Sequence, residues 1–185
     1  MKRLGLPVPD GFTITTEACI TYLKQNEELP TEVKTQLIDH LAAFSKRTGK
    51  AFSSDDNLLL VSVRSGAKIS MPGMMDTILN LGLNDDNVKK LVDKTNDARF
   101  AYDCYRRLLQ MFGEVVYGIP MTAFDTYFND FKNKHSYQSD AEISAEGLKT
   151  ICERYKEIYR EEVYKPFPQE PLKQLEEAIE AVFKS

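Results

Sequence analysis

The sequence is short of the residues that mark several common functions. Its three cysteines, Cys19, Cys104 and Cys152, lie far apart and are odd in number. They form no CxxC pair and no zinc-ligand spacing, which argues against a zinc module or a disulfide framework and for a reduced, cytoplasmic protein. Histidine occurs twice, as His40 and His135. Basic residues are not in excess: 24 Lys and Arg stand against 28 Asp and Glu, a net charge of −4. No broad positive footprint for nucleic acid is therefore expected. No apolar run approaches the roughly 20 residues of a membrane span. Pro7, Pro9 and Asp10 interrupt the start of the chain where a secretory leader would need an apolar stretch. Neither GxxxxGK[ST] nor GxGxxG occurs, so the common nucleotide signatures give no help. There is no internal repeat and no low-complexity segment.

What is present divides into two halves within 185 residues. Residues 1–83 mix strand and helix signals. "GFTITT" (residues 11–16) alternates with period two, with Phe12 and Ile14 on one side, and reads as a strand. Thr16 is placed to cap a helix with Cys19, Tyr22 and Leu23 inward. A second helix is expected from about Thr31, with Val33, Leu37, Leu41 and Phe44 at helical spacing and Gly49 as its stop. After the turn cluster at residues 53–57, the apolar run 58–63 reads as a strand buried on both faces. Such a strand needs neighbours on both edges, and the sequence does not supply them.

From about Asn84 to Pro168 the pattern is almost all helix. Phe100, Cys104, Leu108 and Met111 share a face, as do Phe124, Phe128 and Phe131, and later Leu148, Ile151, Tyr155 and Ile158. Ser144 fits an N-cap. Pro171 fits the first turn of a last helix whose stripe is Leu172, Leu175, Ile179, Val182 and Phe183. The expected organisation is residues 1–83, then a helical unit over 84–168, then a helix over 169–185 that returns to the first part.

One stretch carries chemistry. Arg64 follows the apolar run directly, then come Ser65, Gly66 and the Met-Pro-Gly-Met-Met turn at residues 71–75. A guanidinium at the carboxyl end of a strand sits where open α/β sheets bind ligands, and its planar fork matches phosphate oxygens. Ser65 adds a hydroxyl. Gly66 and Gly73 let a backbone come close to a ligand. Asp76 and Thr77 are expected to open the next helix, within reach of the same ligand or its Mg²⁺. The functional reading is a polyphosphate site. The same residue types also fit a surface arginine paired with an acid, followed by an ordinary strand-to-helix connection.

Here "VSVRSGAKISMPGMMDTILNLGLND" (residues 61–85) closely resembles the ATP-binding N-terminal region of the pyruvate, phosphate dikinases. The stretches at residues 4–19, 99–116 and 167–183 resemble the same family in the same order. The resemblance implies a partial ATP-grasp fold of α+β or α/β class, a small incomplete sheet with helices, with residues 84–168 as an inserted helical subdomain. It implies that ATP, phosphate and pyruvate become AMP, pyrophosphate and phosphoenolpyruvate through a phosphohistidine, with Mg²⁺. Arg64 matches the family's phosphate-contacting arginine. Gly73, Met75 and Asp76 match the loop over the polyphosphate.

The resemblance also implies parts that lie outside these 185 residues: a lysine-bearing segment upstream, the second half of the nucleotide cleft, and the domain with the phosphoacceptor histidine. No catalytic residue is expected here. Neither His40 nor His135 resembles the phosphoacceptor; both read as structural or solvated. Isolated, the chain is expected to be inactive. The alternative is a truncated, non-catalytic helical module without nucleotide turnover that binds a protein partner or nothing. The expected partners are ATP and the remaining domains, with self-association through unpaired sheet edges, and without nucleic acid or membrane. Other features have two readings each. Arg106 and Arg107 fit phosphate contacts or outward salt bridges. Asn84, Asp85 and Asp86 fit a cation site or a helix cap. Tyr155, Tyr159 and Tyr164 fit base stacking or helix packing.

Overall fold

The computed structural model describes residues 4–6, 8–52, 57–66 and 77–185. Its elements in chain order are α1 (Thr16–Lys24), α2 (Thr31–Thr48), β1 (Val61–Arg64), β2 (Thr77–Leu81), α3 (Asn87–Thr95), α4 (Ala98–Tyr117), α5 (Met121–Lys134), α6 (Ala145–Val163) and α7 (Pro171–Lys184). The protein is an α+β fold, mostly helical, with one two-stranded sheet among the described residues.

Helix boundaries follow local chemistry. Gly49 ends α2 in the left-handed conformation, at φ 65°, where a side chain would be strained. The Ser144 side chain accepts from the Gly147 N–H and caps α6. Asp97 caps α4 through the Phe100 N–H. Pro171 occupies the first turn of α7, where its missing N–H costs nothing.

The core is one cluster spanning the chain. α4 lies at its centre, against β2, α3, α6 and α7. Its inward face is Ala101, Tyr105, Leu108, Leu109 and Phe112. The expected stripe was displaced around the helix, since Phe100 is exposed and Cys104 half-buried. α7 buries Leu175, Ala178 and Ile179 and contacts α1, α4, β1 and β2. Each such large apolar side chain contributes roughly 1.5–3 kcal/mol on burial. Where α4 and α6 cross, the Tyr159 hydroxyl donates to the Leu109 carbonyl, and a Cβ on Gly113 would lie 2.6 Å from Phe124 Cζ and 3.1 Å from the Tyr159 hydroxyl. Gly113→Ala is expected to cost about 1–3 kcal/mol by overpacking, read as a lower urea midpoint with unchanged slope. An unchanged midpoint would mean that Phe124 yields without strain.

Four local expectations are corrected. Residues 11–15 form no strand: no partner among the described residues pairs with them, and an unpaired strand is not stable. Phe12 instead stacks on His40 at 5.5 Å. Leu23 is 53% exposed, because α1 turns Cys19 and Tyr22 toward α7. The strand read at residues 58–63 is β1 at Val61–Arg64, antiparallel to β2 and covered on one face only. The segment after residue 76 is a strand and not a helix. Asn80 explains the misreading. It adopts φ 62°, and the register pairs Val61 with Leu81 but Val63 with Ile78, three steps on β2 against two on β1. This bulge buries Ile78 and Leu81 together, an i,i+3 spacing that imitates a helix.

Candidate functional site

β1 and β2 place Arg64. Arg64 pairs with Thr77 at the end of the ladder. The pleat sends neighbouring side chains to opposite faces: Val63 packs on the core, while Arg64 is exposed. No carboxylate among the described residues pairs with the Arg64 guanidinium. Ser65 follows, half-buried, and its Oγ is shut off from solvent with no hydrogen-bond partner. A buried hydroxyl left without a partner costs about 1–3 kcal/mol. At Gly66 an added Cβ would meet open space, so packing does not demand the glycine. The strand end thus offers an exposed cation without a partner among the described residues, the chemistry that accepts an anion, and the orphaned hydroxyl belongs to the next residue in the chain. Gly73, Met75 and Asp76 lie outside the described residues.

The other candidates lie apart from this strand end. Arg106 is not outward: it is 8% exposed. Its Nε and Nη2 donate to Asp103 Oδ1 at 3.0 and 2.8 Å, its Nη1 to Gln110 at 3.1 Å, and it covers the Phe128 ring at 4.7 Å. Arg107 is exposed and pairs with Asp103. The Asn84 side chain caps α3, accepting from the Asp86 and Asn87 N–H groups. Asp85 accepts from the Tyr105 hydroxyl at 3.0 Å and from Lys156 Nζ at 2.7 Å. Tyr155 and Tyr159 are core residues whose phenols burial pushes well above their usual range. Tyr164 is 89% exposed beyond α6. His135 is exposed, stacked on Tyr137 and tilted against Phe131, with Nδ1 at 2.9 Å from the Phe131 carbonyl. Burial raises the Cys152 thiol, which leaves it protonated and unreactive. Among the described residues no group of three or more His, Cys, Asp and Glu side chains could hold a metal.

Sequence reasoning missed the joint at the far end of β2. Gln174, on α7, is fully buried. Its Oε1 accepts from the Gly82 N–H at 3.0 Å, and its Nε2 donates to the Leu83 and Pro168 carbonyls at 2.9 and 2.8 Å. Asn84 Nδ2 donates to the Gln169 carbonyl at 2.8 Å, and Gln169 Oε1 accepts from the Asp85 N–H at 2.9 Å. The segment leaving β2 and the segment entering α7 are therefore tied together. The available signal was a glutamine within an apolar stripe.

Known proteins resemble this chain along its length. A family model described as "Pyruvate phosphate dikinase, AMP/ATP-binding domain" matches residues 26–185. The chain belongs to the pyruvate phosphate dikinase AMP/ATP-binding domain family. Among curated relatives, the pyruvate, phosphate dikinase of Giardia intestinalis is 49% identical over 185 residues, which is all of this chain and 21% of the relative. That of Clostridium symbiosum is 44% identical over 186 residues, again all of this chain and 21% of the relative. A chloroplastic dikinase of Arabidopsis thaliana is 46% identical over 185 residues, 19% of its length. The chain spans about a fifth of the dikinases it matches. No described helix is long and apolar enough to cross a membrane.

Proposed function

We propose that this chain is the part of a pyruvate, phosphate dikinase that grips the ATP phosphates. In the full reaction ATP, phosphate and pyruvate become AMP, pyrophosphate and phosphoenolpyruvate through a phosphohistidine carried on another domain. The observation that carries this reading is Arg64, exposed and unpaired among the described residues at the strand end, with the orphaned Ser65 Oγ on the residue that follows it. The guanidinium is permanently charged and presents its donors in a fixed fork. It would neutralise charge on the transferring phosphate, and phosphoryl transfer depends mainly on such positioning and neutralisation. The Ser65 hydroxyl would donate to a neighbouring phosphate oxygen. Gly73, Met75 and Asp76 complete the proposed set. Mg²⁺ belongs to this reading as the ion that accompanies ATP, and no described residue is assigned to it. A cytoplasmic setting also belongs to it, in keeping with three free cysteines.

A cleft needs opposing walls, and this chain supplies one. Mg·ATP is expected to bind the isolated chain at roughly millimolar Kd, about −4 kcal/mol. Isothermal titration giving micromolar affinity would refute the claim that the rest of the site lies elsewhere. Ser65→Ala separates ligand binding from folding. Removing a buried hydroxyl that has no partner is expected to leave the stability of the free chain unchanged or slightly higher, while weakening phosphate binding in a full-length dikinase. A clear loss of stability in the free chain would show that Ser65 is a structural hydroxyl.

A further inference from the structure

In the helical unit, we infer that the cleft between the carboxyl end of α5 and the amino end of α6 binds a free aromatic amino acid, its ring against an aromatic wall and its two charged groups on Asp130 and Lys134. The wall is a run of four rings. Tyr127 and Phe131 are tilted with centroids 6.2 Å apart, Phe131 and His135 lie at 4.3 Å, and His135 stacks on Tyr137 at 5.8 Å. All four line one cleft of about 500 Å³, with Ser144 and Gly147 of the α6 end across from them. That size suits a small molecule, and ring faces favour a flat apolar group in offset or edge contact. Gly147 lets the two sides approach: an added Cβ would lie 3.0 Å from Ile143 Cγ2 and 3.3 Å from the Phe131 ring.

Charge selects the ligand. Asp130 and Lys134 are four residues apart on α5 and both line the cleft. An acid four residues ahead of a base is a favourable pair on a helix, yet these two do not join, and neither has a hydrogen bond or ion pair among the described residues. A zwitterion satisfies both, its ammonium on Asp130 and its carboxylate on Lys134, each through a charge-assisted bond. A bare organic cation would meet Lys134 in the same cleft, and a bare anion would meet Asp130. Glu146, also at the cleft, is only loosely held, 3.9 Å from Lys149. The wall is fixed in advance, which lowers the cost of binding. Ser136 holds a left-handed φ of 58°, a conformation that persists only where the surroundings impose it. The Ser136 and Tyr137 N–H groups donate to the Asn133 and Lys132 carbonyls at 3.1 and 3.0 Å. Arg99 donates to the carbonyls of Asp140, Ala141 and Ile143 at 2.8, 3.0 and 3.1 Å, which anchors the connection that carries Tyr137 back to α6.

The test titrates L-phenylalanine into the 185-residue chain and follows backbone amide shifts by NMR. Saturable shifts centred on residues 127–150 are expected, at a Kd of roughly millimolar because the charged contacts are exposed to water. Two one-ended probes identify the ligand class. 2-Phenylethylamine lacks the carboxylate and 3-phenylpropanoate lacks the ammonium, and each is expected to bind at least about threefold more weakly than phenylalanine. Asp130→Asn should abolish the advantage of phenylalanine over 3-phenylpropanoate, and Lys134→Met its advantage over 2-phenylethylamine. A merely structural role for either residue would not sort the probes in this way, and both side chains are exposed, so the fold is expected to persist. No saturable shift by about 20 mM phenylalanine would overturn the proposal. So would either one-ended probe binding as tightly as phenylalanine, because the cleft would then take a cation or an anion alone. No nucleotide takes part, so the result is independent of the role proposed for Arg64.

Discussion

Arg64→Ala, introduced into a full-length dikinase carrying this chain, is expected to slow the ATP half-reaction by roughly 10²–10³-fold, the usual cost of losing one preorganised charge-stabilising donor. The pyruvate half-reaction should be untouched. The exposure of Arg64 makes the experiment clean, because nothing in the described core leans on its side chain. Folding stability should therefore stay within about 0.5 kcal/mol of the parent. Arg64→Lys should recover only part of the rate, since a compact ammonium cannot reproduce the two-pronged contact of a guanidinium. Isotope exchange between ATP and AMP, and separately between pyruvate and phosphoenolpyruvate, distinguishes the two halves. Equal damage to both would mean that Arg64 acts on the fold or on domain movement.

Gln174→Leu is expected to be strongly destabilising. Leucine nearly fills the space but strands three buried backbone groups: the Gly82 N–H and the carbonyls of Leu83 and Pro168. At about 1–3 kcal/mol each, and allowing for some relaxation, the loss is roughly 3–6 kcal/mol. That is a large fraction of a typical domain's total. Gln174→Glu should also be severe, because two carbonyls would then face a carboxylate. Urea unfolding measures both. A loss under about 1 kcal/mol for the leucine variant would show that water enters and satisfies those groups.

What could be read from the sequence, and what could not, follows from how far each signal reaches. α2, α5, α6 and α7 announce themselves because their apolar stripes, caps and prolines are local. The phosphate role proposed for Arg64 also rests on a local signal, an arginine directly after an apolar run. β2 was misread because its bulge at Asn80 is defined only by pairing with β1, and the resulting spacing belongs to a helix in any one-dimensional reading. The extended stretch at Phe12 looked like a strand for the opposite reason: alternation is local, but a strand exists only with a partner. Arg106 was expected outside. Its burial depends on Asp103, Gln110 and Phe128 meeting around it, and Phe128 comes from another helix. Gln174 gave almost no signal, since two of its three partners lie about ninety residues away.

That last separation bears on synthesis. α4, α5 and α6 follow one another closely in sequence and can pack as they leave the ribosome, whereas the bond from Gly82 to Gln174 joins residues 92 positions apart. Contacts of such span form slowly, and this one cannot form until α7 has been made. During translation the far end of β2 therefore waits, with its backbone unsatisfied, while the helices behind it take shape. Residues 82–83 are then the part of this region that stays unsatisfied until α7 is made, and a premature stop anywhere before Gln174 would leave them in that state.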